Sequence, residues 1–246
     1  MTAWHALLWG ALGASSLLVG QALSGPLSGS PRATGLLMGF GAGTLISAVS
    51  FELTEEAYAQ GGADAVVIGL ALGALAYYLG DYVVEKHGAM QRMSSVDSKA
   101  VSASASTALL LGAVLDGIPE SAVIGLTLLE GGSVGIAVLA AVFISNLPES
   151  MSSSSGMRAS GASTWHVLGT WTWVVLASAI AAGAGYGLLQ NASGNTIALI
   201  QAFAGGAVLT MLADTMMPEA FRHGGRAVGL LTVLGFSLAY LLTLVE

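Results

Sequence analysis

Apolar residues run in stretches of about 20 along nearly the whole chain, the length an α-helix needs to cross the hydrocarbon of a bilayer. Marked off by Gly, Pro, Ser and charge, eight such stretches lie at about 4–24, 34–59, 63–86, 101–129, 133–155, 165–189, 195–221 and 226–245. A soluble alternative fails on charge: of 246 residues 54% are hydrophobic and 9% charged, against about 25% charged in ordinary soluble domains. So few charges cannot coat a water-facing surface. Glycine, at 34 residues, has about twice its usual share. That suits helices in close contact, since lipid gives them no hydrophobic drive to associate. Without cysteine the chain has no disulfide and no thiolate metal site. The first stretch lacks the basic start of a signal peptide and reads as a first spanning helix. The fold class is therefore all-α: a polytopic membrane protein, one transmembrane domain over 1–246.

Eight spans leave both termini on one side, and the positive charges choose which. Arg32 falls in the first loop, Lys86, Arg92 and Lys99 in the third, Arg158 in the fifth, and Arg222 and Arg226 in the seventh. All seven lie at odd-numbered loops, which makes those loops cytoplasmic and puts the N- and C-termini outside.

The chain also matches itself. Phe40–Ala57 aligns without gaps on Phe203–Ala220, an offset of 203 − 40 = 163. The same offset superposes Gly61-Gly62 on Gly224-Gly225 and Leu75-Ala76-Tyr77 on Leu238-Ala239-Tyr240. Helices 1–3 (about 1–87) and 6–8 (about 164–246) then form related triplets. Five spans separate their starts, so the repeats are inverted in the membrane. Inverted 3+3 repeats are a transporter architecture with its binding site near the midplane. Helices 4 and 5 (about 101–158) form a central two-helix hairpin between them.

That hairpin carries the chemistry. Asp116-Gly117-Ile118-Pro119-Glu120-Ser121 and Ser145-Asn146-Leu147-Pro148-Glu149-Ser150 nearly repeat each other, 148 − 119 = 29 residues apart. Each sets a proline and an acid in the middle of a span, where both are costly. Asp116 and Glu120, four residues apart, share a helix face, as do Ser145 and Glu149, with Asn146 three residues before Glu149. Each proline lacks the amide that would bond four residues back, which frees the Leu115 and Ile144 carbonyls. Collected, these groups offer three carboxylates, an amide and a hydroxyl, with no Lys or Arg near in sequence. Such acids hold protons or hold a cation, and an oxygen-rich anionic cluster fits a divalent metal ion. The structural alternative is a kinked hairpin with protonated acids bonded to backbone. Toward the outer end of helix 2 lie Glu52, Glu55 and Glu56, and toward the inner end of helix 7 lie Asp214 and Glu219. The repeat pairs Glu56 with Glu219. Glu52, Glu56, Asp214 and Glu219 read as acidic vestibules above and below the central site.

In these residues the chain resembles the Zrt/Irt-like (ZIP) family of metal transporters, as a divergent, bacterial-type member. The resemblance covers essentially the whole chain. The family's motifs are similar to His-Asn-x-Pro-Glu-Gly on helix 4 and His-Glu-x-Pro-Glu-Gly on helix 5. Pro119-Glu120 and Pro148-Glu149 match them, while Asp116, Gly117, Ser145 and Asn146 replace the family's His, Asn, His and acid, and Ser121 and Ser150 its glycines. The resemblance implies Glu120 and Glu149 as metal ligands, with Asp116, Asn146 and Ser145 as substituted ones. It implies a membrane transporter, not an enzyme, that moves divalent metal toward the cytoplasm without a prosthetic group. Zinc is the family's common cargo, with iron, manganese or cobalt also implied; losing both imidazoles hardens the site and weakens a zinc preference. Helices 1, 4, 5 and 6 would move against 2, 3, 7 and 8. The implied setting is a homodimer in the lipid of a plasma membrane, the bacterial inner membrane, with no nucleic-acid partner. The third loop, His-rich in relatives, offers here only His87.

Two other function classes compete. An intramembrane aspartyl protease would pair Asp81, in Leu79-Gly80-Asp81, with Asp214, but leaves the double Pro-Glu unexplained. A proton-coupled organic-solute carrier would surround the central acids with aromatic or apolar groups, yet Gly, Ser and Ala flank them. Met211, Met216 and Met217 read as core filler, His5 and His166 as interface residues beside tryptophans, and Ser152–Ser155 as the polar end of helix 5 or the start of a loop.

Overall fold

The computed structural model describes residues 2–27, 30–84, 86, 103–130, 134–159 and 161–245; His87, Arg92 and Lys99 of the third loop lie outside the described residues. Helices α1 (Ala3–Ala14) and α2 (Ser16–Leu27) follow each other with only Ser15 between them. Next come α3 (Pro31–Ala48), a π-helical turn (Val49–Thr54) and α4 (Glu55–Val84). The third group is α5 (Ala103–Glu130), α6 (Ile136–Ala159) and α7 (Thr164–Leu189). Helix α8 (Gly194–Met211) runs through a second π-helical turn (Leu212–Met216) into α9 (Met217–Gly224), and α10 (Ala227–Thr243) closes the chain. Among the described residues there is no strand.

Local chemistry sets several of these ends. Ser30, Ser163 and Ser193 each cap a helix by accepting a backbone amide, from Ala33 (3.3 Å), His166 (3.2 Å) and Thr196 (3.3 Å). Pro31 occupies the first position of α3, where its missing amide is harmless. Gly62 (φ 71°) breaks α4 and Gly225 (φ 64°) follows α9, each in the left-handed region open to glycine. The two π-helical turns were not legible in the sequence. Each loosens the backbone ladder at a stretch carrying an acid, Glu52 in the first and Asp214 in the second.

Helix α4 packs on α8, α3 on α10, α7 on α1 and α5, and α6 on α2 and α3. Backbone meets backbone at the first two crossings. A β-carbon on Gly73 or Gly206 would strike the carbonyls of Phe203 or Leu70 across α4–α8; one on Gly43 or Gly235 would strike Thr232 or Phe40 across α3–α10. Small residues thus replace the hydrophobic drive that lipid withholds. The main core joins Met38, Leu45 and Val49 to Ile124, Val142, Val208 and Met211. Met211 and Met216 are core residues, as the sequence reading has them, and Met217 packs partly buried against them.

The outside is apolar as well: Val67, Leu72, Leu230, Val233 and Leu241 are exposed. Such a surface would drive aggregation in water and is matched to lipid. Among the described residues, five helical stretches are long and apolar enough to cross a membrane: Ala3–Gly25, Pro31–Val84, Ile136–Ala159, Thr164–Leu189 and Gly194–Gly224. On length and composition the chain is a multi-pass membrane protein.

Gly206→Val is expected to destabilise the bundle by about 1–3 kcal/mol through overpacking, seen as a lower unfolding midpoint in detergent. Gly229→Val, at a position with nothing within 4 Å, should leave the midpoint near that of the parent.

Candidate metal centre

Pro119 and Pro148 sit inside α5 and α6, and both helices continue through them. Asp116 and Glu120 are 5% and 2% exposed, and Ser145 and Asn146 on α6 are 2% and 4% exposed. The Glu120 carboxylate has the Asp116 charge and the Ser145 hydroxyl for neighbours. With one proton to give, Ser145 stands between that carboxylate and the carbonyl of Val142, 3.0 Å away. The second Glu120 oxygen, Oε2, is buried and has no hydrogen-bond partner among the described residues. Leaving such an atom desolvated is expensive unless something else arrives to satisfy it.

Glycines bring the walls to this centre. Gly41 on α3 lies so close to α6 that a β-carbon would be 3.0 Å from Ser145 Cα and 3.1 Å from Met216 Cε. At Gly117, between the two acids, a β-carbon would sit 3.3 Å from the hydroxyl of Ser178 on α7. With glycine there, the space is left to the buried Ser178. From α4, the Tyr77 phenol donates to Asp116 Oδ1 at 2.6 Å.

Beyond the centre, α6 corrects one expectation. Ser152–Ser155 are not the start of a loop: they lie in the last turns of the helix, which continues to Ala159, and Ser152, Ser153 and Ser154 are buried. The run faces protein: Ser154 accepts the indole N–H of Trp171 at 2.7 Å. Arg158, at the end of α6, reaches α2, donating to the Ser24 hydroxyl (2.5 Å) and the Gln21 carbonyl (3.3 Å).

Glu149 is half-buried on α6. Glu52 is half-buried, with Oε1 turned inward. Glu56 accepts from Gln60 Nε2 at 2.8 Å, and buried Glu219 lies 2.8 Å from His223 Nε2. Asp214 and Glu55 are exposed. Among the described residues no three His, Asp or Glu side chains converge. At the centre the Glu120 carboxylate has Asp116 and the Ser145 hydroxyl for neighbours, and Asn146 is buried on the same helix as Ser145. An oxygen set of this kind takes a hard or borderline divalent cation. Asp81, of the rival protease reading, is half-buried and Asp214 exposed.

Sequence reasoning missed Tyr77, Ser178 and His223. His223 was findable, four residues after Glu219 on one helix face. Tyr77 and Ser178 carried no local signal, because their partners come from other helices.

No protein-family model matches the chain. A protein of Arabidopsis thaliana named "Putative zinc transporter" is 26% identical over 199 residues, 78% of this chain and 31% of that protein. The chain thus spans about a third of the length of this curated relative.

Glu120→Gln keeps the side-chain shape and removes the ionisable group. Metal-free protein carrying it should unfold no earlier than the parent. Added divalent metal at 100 times Kd should stabilise the parent by about 2.7 kcal/mol and leave the variant unmoved, in paired thermal melts.

Proposed function

We propose that this chain is a transporter of the ZIP-like type, carrying divalent metal cations toward the cytoplasm through a site on α5 and α6. One observation carries the reading: a buried carboxylate, Glu120, keeps one oxygen without a hydrogen-bond partner among the described residues, beside a second acid and a hydroxyl. A visiting dication satisfies that oxygen and offsets both charges. The zinc-transporter name of the plant relative supports the metal class. Glu149, from the second Pro-Glu pair, completes the set when a cation draws it in. Two carboxylates with neutral oxygens and no imidazole favour manganese or iron more than a histidine site would, with zinc and cobalt also accepted.

Eight spans and inverted repeats belong to the same reading. As one straight helix, Pro31–Val84, at 54 residues, would be about 80 Å long, more than twice the hydrocarbon thickness. Gly62 divides it into two spans. The two π-helical turns begin 212 − 49 = 163 residues apart, and the two left-handed glycines lie 225 − 62 = 163 apart. This is the offset of the sequence repeat. In this reading one body is α1, α2, α5, α6 and α7 and the other α3, α4, α8, α9 and α10, and the two meet along α3 and α6. In this arrangement both termini face out. Glu52 and Glu56 gather cations outside, and Asp214 and Glu219 receive them inside.

In liposomes the purified protein is expected to take up labelled Zn, Mn, Fe or Co, and Glu120→Ala or Glu149→Ala to abolish uptake. Normal flux in both variants would refute the site; no uptake of any of the four by the parent would refute the transporter.

A further inference from the structure

We propose that Met216 is a further ligand of the metal centre, its thioether sulfur adding one soft donor to the oxygens of α5 and α6 and turning the choice of cargo toward zinc and cadmium over manganese. The inference rests on the transporter reading above.

Three elements meet at one point beside the centre: α3, α6 and the second π-helical turn. A β-carbon built on Gly41 would lie 3.0 Å from Ser145 Cα and 3.1 Å from Met216 Cε, so these two atoms are at most 3.0 + 3.1 = 6.1 Å apart. The Ser145 hydroxyl in turn neighbours the Glu120 carboxylate, whose Oε2 is buried without a hydrogen-bond partner among the described residues. Met216 is 4% exposed, and its sulfur is one bond from that methyl. Three rotatable bonds let a methionine adjust where its sulfur sits without any backbone movement.

The backbone places Met216 at this point. It closes the turn Leu212–Met216, which follows directly on Met211 at the end of α8. In an unbroken α-helix residues five apart diverge by about 140°. Bonding from i to i+5 brings them toward one face, and Met211 and Met216 both enter the main core. The internal repeat does not require this arrangement. At the offset of 163, Met216 corresponds to Leu53 (216 − 163) and Gly41 to Ala204 (41 + 163). Leu53 is buried, with its Cδ1 3.8 Å from where Gly205 of α8 would carry a β-carbon. One repeat thus brings a thioether into the space a glycine leaves beside Ser145; the matched positions of the other hold neither sulfur nor glycine.

Thioethers suit soft and borderline ions, whereas carboxylates and hydroxyls suit manganese and calcium. A sulfur added to the oxygens supplies part of the softness that an imidazole would bring. Zinc and cadmium gain from it, and manganese gains little.

The test is Met216→Leu, which keeps the apolar bulk and removes the sulfur, with Met211→Leu as control. Zinc, cadmium and manganese are titrated calorimetrically into the parent and both variants in detergent. Kd for zinc and cadmium is expected to rise about 10-fold in M216L, the low end of the loss when a metal ligand is deprived of its partner. Kd for manganese should stay near the parental value, and M211L should match the parent with all three ions. In liposomes, the excess of manganese that halves zinc uptake should fall by the same factor in M216L. X-ray absorption of the cadmium-loaded parent should show a metal–sulfur distance. With no cysteine in the chain, that sulfur belongs to a methionine; the signal should vanish in M216L and persist in M211L. Met216→Ile repeats every reading if M216L folds poorly. An oxygen-only shell in the parent, a sulfur signal that survives in M216L, or an equal loss for all three ions each overturns the inference. A parent that binds none of these ions and takes up none of Zn, Mn, Fe or Co overturns the transporter reading and this inference with it. A transporting parent with an oxygen-only shell overturns this inference alone.

Discussion

An ionised carboxylate inside an apolar bundle must be answered by something other than water, and this fold is arranged around that demand. Asp116 and Glu120 are buried side by side on α5. The guanidinium on the adjoining helix, Arg158, is directed to Ser24 and Gln21 on α2. Neutral groups are among those that meet the acids: a phenol at Asp116 and a hydroxyl at Glu120. Such groups orient a carboxylate but do not cancel its charge.

Close packing makes this arrangement possible without a thick hydrophobic core. At α4–α8 and α3–α10 the helices meet backbone to backbone through glycine, and Gly41 and Gly117 carry the same device into the site. Dispersion and fit over these contacts replace the missing hydrophobic drive. The cost is sensitivity: a single methyl group at Gly206 meets a carbonyl. The π-helical turns act in the opposite sense, loosening the ladder where Glu52 and Asp214 are placed. Tight crossings and loosened turns alternate along the same helical stretches.

Much of the site was legible because its signals are local. Proline and an acid inside an apolar run are each unfavourable in lipid, so their joint recurrence marks a site before any packing is known. Asp116 and Glu120 came together because i, i+4 spacing places them on one face. The Ser152–Ser155 run does lie in the last turns of its helix, but its burial was not legible, because the Trp171 indole that donates to Ser154 comes from the next helix. The capping serines sit at turns that composition marks, while the π-helical turns leave no local signature.

By itself the sequence determined the all-helical, lipid-facing character of the chain, the approximate limits of its helices and the pair of acids on α5, since hydropathy and helical period act over a few turns. Tertiary structure decided which groups answer those acids. Tyr77 finds Asp116 across 39 residues, and Ser145 finds Glu120 from the next helix. These contacts depend on how closely two helices approach and at what height. That follows from glycines meeting carbonyls on opposite sides of a crossing, a relation between distant segments that no local pattern contains.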